Sequence, residues 1–89
     1  MTAQQITWLE TLMLNAIKAQ QEKGYAKAIR WWHVEMECDA FIFQIPDVEQ
    51  RGRVQAAFHQ NKLALMRGMQ AKKLIRWETE GGRASFSIA

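Results

Sequence analysis

RGRVQAAFHQNKLALMRGMQAKKLIR, residues 51–76, is the stretch whose reading decides the fold of this 89-residue chain. It holds seven Lys/Arg and no Asp or Glu, and Val54, Phe58, Leu65 and Met69 recur through it at helical spacing. On a wheel of about 100° per residue those four line one side of a helix, while Arg53, Ala56, Gln60, Leu63 and Arg67 line the opposite side. The first side predicts core. The second predicts an outward face with Arg53, Gln60 and Arg67 spaced seven apart, flanked by His59 and Gln70. Lys62 falls near the apolar side and is expected to snorkel or to mark an edge of the packing.

Past Lys72-Lys73 the period changes from helical to alternating. Ile75, Trp77 and Thr79 oppose Arg76, Glu78 and Glu80; beyond Gly81-Gly82, Ala84, Phe86 and Ile88 oppose Arg83, Ser85 and Ser87. This predicts a β-hairpin whose glycines supply the positive φ of its turn, with Arg83 beside the tip. Upstream, Pro46 interrupts whatever precedes it, because the residue before a proline avoids the α region. Asp47 then offers a helix N-cap, with Gln50 three residues on. Gly52 leaves two starts open: a helix from Asp47 onward, or a short turn there and a main helix from near Arg53.

The run ALMRGMQAKKLIRWETEGGRASFSI, residues 64–88, resembles the end of winged helix-turn-helix DNA-binding domains. In that family a recognition helix closes on a Leu-Ile pair, here Leu74-Ile75, and is followed by a glycine-tipped wing. The likeness covers about 40 residues when the helix from Arg51 is included, and Lys73 stands where such domains commonly carry Gly. It implies major-groove reading by Arg53, Gln60 and Arg67 and backbone or minor-groove contact by Arg83. Arg pairs bidentately with guanine and Gln with adenine, whereas phosphate contact suits Arg51, Lys62, Lys72, Lys73 and Arg83.

The remaining chain is compatible. Ile6, Leu9, Met13, Ala16 and Ile17 recur at helical spacing, widened by Trp8 and Leu12, and predict a first helix over residues 2–23. Thr2 or Thr7 suits its start and Gly24 its stop. Residues 25–45 satisfy two periods at once. Trp32, Val34, Met36 and Cys38 alternate as in a strand, while Trp31, Val34, Cys38, Phe41 and Ile45 fit a helix. Met, Glu, Ala and Cys are poor strand formers, which favours a helix over about 28–41. The expected class is therefore mainly α with a C-terminal hairpin, winged-helix-like and one domain over 1–89; the rival is α-β-β-α-β-β with a four-stranded antiparallel sheet.

Charge sharpens the expectation of a polyanion partner. Residues 1–49 carry four basic and seven acidic side chains, residues 50–89 eight basic and two acidic, so the second half alone is strongly cationic. A basic face that is merely solvated is the bland alternative. His33, Glu35, Glu37, Cys38 and Asp39 are metal-ligand types, but one Cys and two His in the whole chain do not compose a zinc motif. No nucleophile–base pair or phosphate-cradling loop presents itself, so neither cofactor nor enzymatic activity is expected. The lone Cys and the lack of a bilayer-length apolar run lead to an expectation of a cytoplasmic protein.

The leading functional expectation is a transcriptional regulator that binds duplex DNA as a homodimer. A protein-interaction module built around an exposed Trp31, Trp32 or Trp77, or a single-stranded nucleic-acid binder stacking such a ring on a base, is the alternative.

Overall fold

The computed structural model describes residues 2–23, 29–81 and 83–89, with the side chains of Glu80 and Arg83 left aside. Three helices come first, α1 (Ala3–Glu22), α2 (Trp31–Phe43) and α3 (Val48–Ala71), then an antiparallel pair, β1 (Ile75–Glu80) and β2 (Arg83–Ile88). The α+β class is as expected, and the ambiguous middle is helical. No hairpin forms over α2, so the four-stranded rival does not describe this protein. The helical period prevails there because it buries Val34, Cys38 and Ile42 on a single face against α1 and α3. The proposed stop at Gly24 lies outside the described residues.

Two of the three helix starts are capped by a side-chain oxygen. Thr2 caps α1 through a capping box: its hydroxyl accepts from the Gln5 backbone N–H at 3.1 Å, and Gln5 Oε1 accepts from the Thr2 N–H at 2.8 Å. Asp47 caps α3, its Oδ1 accepting from the Glu49 N–H at 3.0 Å. The helix runs through Gly52, so the later start near Arg53 is not used. At about 36 Å, from 1.5 Å per residue, α3 nearly matches the 39 Å length of the molecule.

The end of α3 explains the lysine found where a glycine is commoner. Lys73 adopts φ +61°, its N–H donates to the Gln70 carbonyl at 3.0 Å, and the Leu74 N–H reaches back to the Met69 carbonyl at 2.9 Å. This is a Schellman closure with a non-glycine residue in the left-handed position. Side chains are strained there by their Cβ, and that cost exceeds the chain entropy that glycine would add. Lys73→Gly is accordingly expected to raise stability by about 0.5–1 kcal/mol, read as a higher urea midpoint at unchanged slope. A lower midpoint would show that the lysine side chain contributes more than its backbone costs.

Phe58 sits in a core made by α1 (Leu9, Leu12, Met13, Ala16, Ile17), α2, α3 (Leu65, Met66, Met69) and the hairpin (Ile75, Phe86). Trp8 departs from expectation: it is 48% exposed rather than part of the buried stripe. The hairpin register pairs Ile75 with Ile88, Trp77 with Phe86 and Thr79 with Ala84, which puts the apolar alternation on one face as predicted. Gly81 takes φ +58° at the turn. The segment entering α2 is pinned to β2: the Phe86 N–H donates to the Ile29 carbonyl at 3.0 Å, and Arg30 Nη1 donates to the Ala84 carbonyl at 3.2 Å. The hairpin is thereby held against the helices at its second strand as well as its first.

Candidate nucleic-acid interface

Burial divides the basic residues of α3 into two sets, and helical phase is the reason. Arg53, Ala56, Gln60, Leu63 and Arg67 are all exposed and lie on the side away from Phe58, Leu65 and Met69. From Arg53 to Arg67 this face is about 21 Å long at 1.5 Å per residue, and Leu63 stands in it half-exposed, an apolar group of the kind that meets a thymine methyl. Arg53 makes one ion pair, to Glu49 at 2.6 Å, one turn back on the same helix. Both side chains are largely in water, so the pair is readily exchanged for another anion.

Arg51, Lys62 and Lys72 fall on the core side of the wheel, and the chain itself occupies them. The Arg51 guanidinium lies 5.5 Å from the centre of the Phe43 ring at the end of α2. Lys62 forms an ion pair with Glu35 on α2 and lies 5.6 Å over the Trp31 ring. Lys72 reaches across to α1, where both carboxylate oxygens of the buried Glu10 accept from its ammonium at 3.0–3.1 Å. These cations serve interhelical packing first. His59, placed beside the outward face on the wheel, also turns to α2, with Nε2 3.0 Å from Asp39 and Nδ1 3.4 Å from Glu35.

Acidic residues from the first half are consumed in the same way. Glu37 takes Lys23 and the Gln20 amide, Glu35 takes Lys62 and Asp39 takes His59. Four of the seven acids of that half, Glu10, Glu35, Glu37 and Asp39, are thus turned to neighbouring groups of the molecule, while Glu22, Asp47 and Glu49 stay exposed. Arg67, Lys73 and Arg76 form no ion pair among the described residues. Arg76 belongs to the cationic surface although it was not among the candidate contacts; its place on the solvent face of β1 follows from strand alternation. Arg83 follows the turn as the first residue of β2, and its side chain is outside the described set.

The hairpin lies at the Arg67 end of the outward face. Gln70 Nε2 approaches the Trp77 carbonyl at 3.5 Å, and Arg67, Gln70, Trp77 and Thr79 enclose a small cleft between α3 and β1. Trp77 packs its ring against Phe86 at 5.4 Å and Trp31 meets Phe86 edge-on at 5.8 Å, so neither indole is free to serve as an extended stacking platform. Trp32 differs: it is more than half exposed on α2, stacked on His33.

Among the described residues no group of three or more His, Cys, Asp or Glu side chains is placed to hold a metal ion, and no helix is long and apolar enough to cross a membrane. Comparison of the chain with protein-family models, curated proteins and solved structures gives no match.

Proposed function

We propose that this protein binds duplex DNA as a winged-helix-like transcriptional regulator, with α3 in the major groove and the β1–β2 wing on the flanking backbone. The observation that carries this reading is the outward face of α3. Arg53, Gln60, Leu63 and Arg67 line a ridge about 21 Å long that no other described part of the chain covers, and the wing stands at its end. Two features support a wing rather than a loose hairpin: the Ile29 carbonyl accepts from β2, giving the two strands a third neighbour, and the Schellman turn fixes the angle between α3 and β1.

In this mode Arg67 and Gln60 read bases and Arg53 opens the site, while Lys73, Arg76 and Arg83 meet phosphates. Two copies acting as a homodimer would address a two-part site. The internal ion pairs of Lys62 and Lys72 lower the number of phosphates one protomer neutralises. With Arg51 held over Phe43 as well, and Arg53, Arg67, Lys73, Arg76 and Arg83 left as the upper limit, the slope of log K against log salt should be no steeper than about −4.5 per protomer, at 0.9 per phosphate.

A mobility-shift series on random duplexes, single strands and RNA at several salt concentrations tests the reading. Arg67→Ala is expected to cost about 1–3 kcal/mol on a selected site and to relax specificity at one position. Lys73→Ala is expected to weaken all duplexes alike. Lys62→Ala should change duplex affinity little and chiefly alter stability, since its ammonium is held by Glu35. Salt-insensitive binding, or a larger affinity loss from Lys62→Ala than from Arg67→Ala, contradicts the proposed face.

A second reading, a protein dock on the same scaffold, rests on α2. Trp32, Met36 and Phe43 lie along one side of that helix and are 55%, 59% and 68% exposed. If no nucleic acid binds at moderate salt, while Trp32→Ser abolishes association with a protein partner, this reading replaces the first.

A further inference from the structure

A cavity of about 620 Å³ lies between the N-terminal turns of α1 and the start of α3, apart from the cleft beside the wing. Its volume is in the range of sites that enclose small organic ligands, roughly 300–1,000 Å³. Trp8, Ile45, Val54 and Ala57 form apolar walls, which accounts for Trp8 standing half-exposed on a helix whose neighbouring apolar residues Leu9 and Leu12 are buried. The polar part of the wall is glutamine amide, from Gln4, Gln5 and Gln50, together with a single charged group, Arg53. No acid lines it.

We infer that this cavity is a binding site for a small amphipathic carboxylate, an aromatic or branched apolar body carrying one acid group. The apolar body displaces water from Trp8, Ile45, Val54 and Ala57, which line the cavity. The carboxylate takes the Arg53 guanidinium, whose planar fork matches it in a bidentate pair. Arg53 is available because its partner Glu49 is an exposed residue one turn away on the same helix, and such pairs are worth little. An ammonium ligand would find no carboxylate on the wall, and a neutral one would leave the guanidinium unused; the glutamines serve any polar group and so do not choose between charges.

Arg53 also opens the outward face of α3, so an occupied cavity would draw one guanidinium away from the groove-reading surface. That consequence rests on the duplex-binding reading; the site itself does not, and its test needs no DNA.

The test is a titration of the 89-residue chain, followed by backbone and indole N–H resonances, with 4-phenylbutyrate, 4-phenylbutanol and 4-phenylbutylamine. The acid is expected to saturate with a dissociation constant of about 1 mM or tighter, shifting the Trp8 indole and the amides near Ala57. The alcohol and the amine are expected to bind about tenfold more weakly, the loss of one charge-assisted contact. Arg53→Gln should erase the preference of acid over alcohol, and Ala57→Leu, which fills the cavity, should abolish saturation. Should Ala57→Leu fail to fold, Trp8→Ser removes the main wall from a half-exposed position and is expected to weaken the acid at least about fivefold. Equal binding of all three probes, no saturation by roughly 10 mM, or an acid preference that survives Arg53→Gln each overturns the assignment.

Discussion

Phe58→Ala is expected to lose about 3–5 kcal/mol of stability, read as a large drop in the urea midpoint. Among the described residues Phe58 is the largest fully buried side chain, with no solvent-exposed surface, and it sits in the cluster built from all three helices and the hairpin. Truncation removes its transfer free energy and also leaves a cavity, because neighbours such as Met66, Met69 and Ile17 belong to different elements and do not collapse together. An 89-residue domain has a total stability of about 4–13 kcal/mol at 0.05–0.15 kcal/mol per residue, so the loss is a large share of the whole. The control is Leu63→Ala on the opposite side of the same helix, half in water and expected to change stability by under about 1 kcal/mol. Urea unfolding followed by circular dichroism measures both. Equal midpoint shifts for the two variants would mean that α3 does not present Phe58 to the core.

The second large effect concerns Cys38. Its thiol is fully buried on the inner side of α2, and burial above all pushes its pKa up to about 12, with the carboxylates of Asp39, Glu37 and Glu35 on the same helix adding to the rise. An alkylating reagent attacks the thiolate, so near pH 8 the native protein, its thiol both buried and raised in pKa, should label more slowly than the urea-unfolded chain by well over about tenfold. The same shift has a consequence for stability. The folded protein holds the thiol proton more tightly than the unfolded chain, whose thiol titrates near 9.0. This contribution is fully present below pH 9 and is lost as the pH rises from there toward 12. The difference in unfolding midpoint between the wild type and Cys38→Ala should therefore change between pH 8 and pH 10.5 in the direction of a relatively weaker wild type. Prompt labelling in native buffer would place Cys38 at the surface and remove the reason for both effects.

Much of this architecture was legible before any coordinate. The switch from a 3.6-residue to a two-residue period at Lys72-Lys73 marks the end of α3 and the start of β1 within a few residues, because both periods are backbone geometry written into side-chain type. The Thr2 and Asp47 caps are similarly local: each needs only an oxygen placed two or three residues before an unpaired N–H. Residues 31–43 were less legible, since Trp32, Val34, Met36 and Cys38 alternate while Val34, Cys38 and Ile42 also fall on one helical face. Only contact with α1 and α3 selects the second pattern.

Charge was the hardest property to read. Seven cations without an acid in residues 51–76 look like one continuous surface, yet their acids lie far away in sequence: Glu35 meets Lys62 across 27 residues, and Glu10 meets Lys72 across 62. The helical wheel already places Lys62 near the apolar side of α3. It does not say which carboxylates wait there.

What the amino-acid order determined alone is therefore periodic and local: the helices α1 and α3 with oxygens suited to cap them, a glycine-tipped hairpin, and an outward row of Arg53, Gln60 and Arg67, whereas the helix over residues 31–43 needed its tertiary contacts. Tertiary structure decided the rest: which cations stay available, that Trp8 borders a cavity, and that β2 is tied to Ile29. Periods and caps depend on neighbours within about four residues, whereas ion pairs and cavities depend on the distances between elements, which appear only when the apolar faces are pressed together.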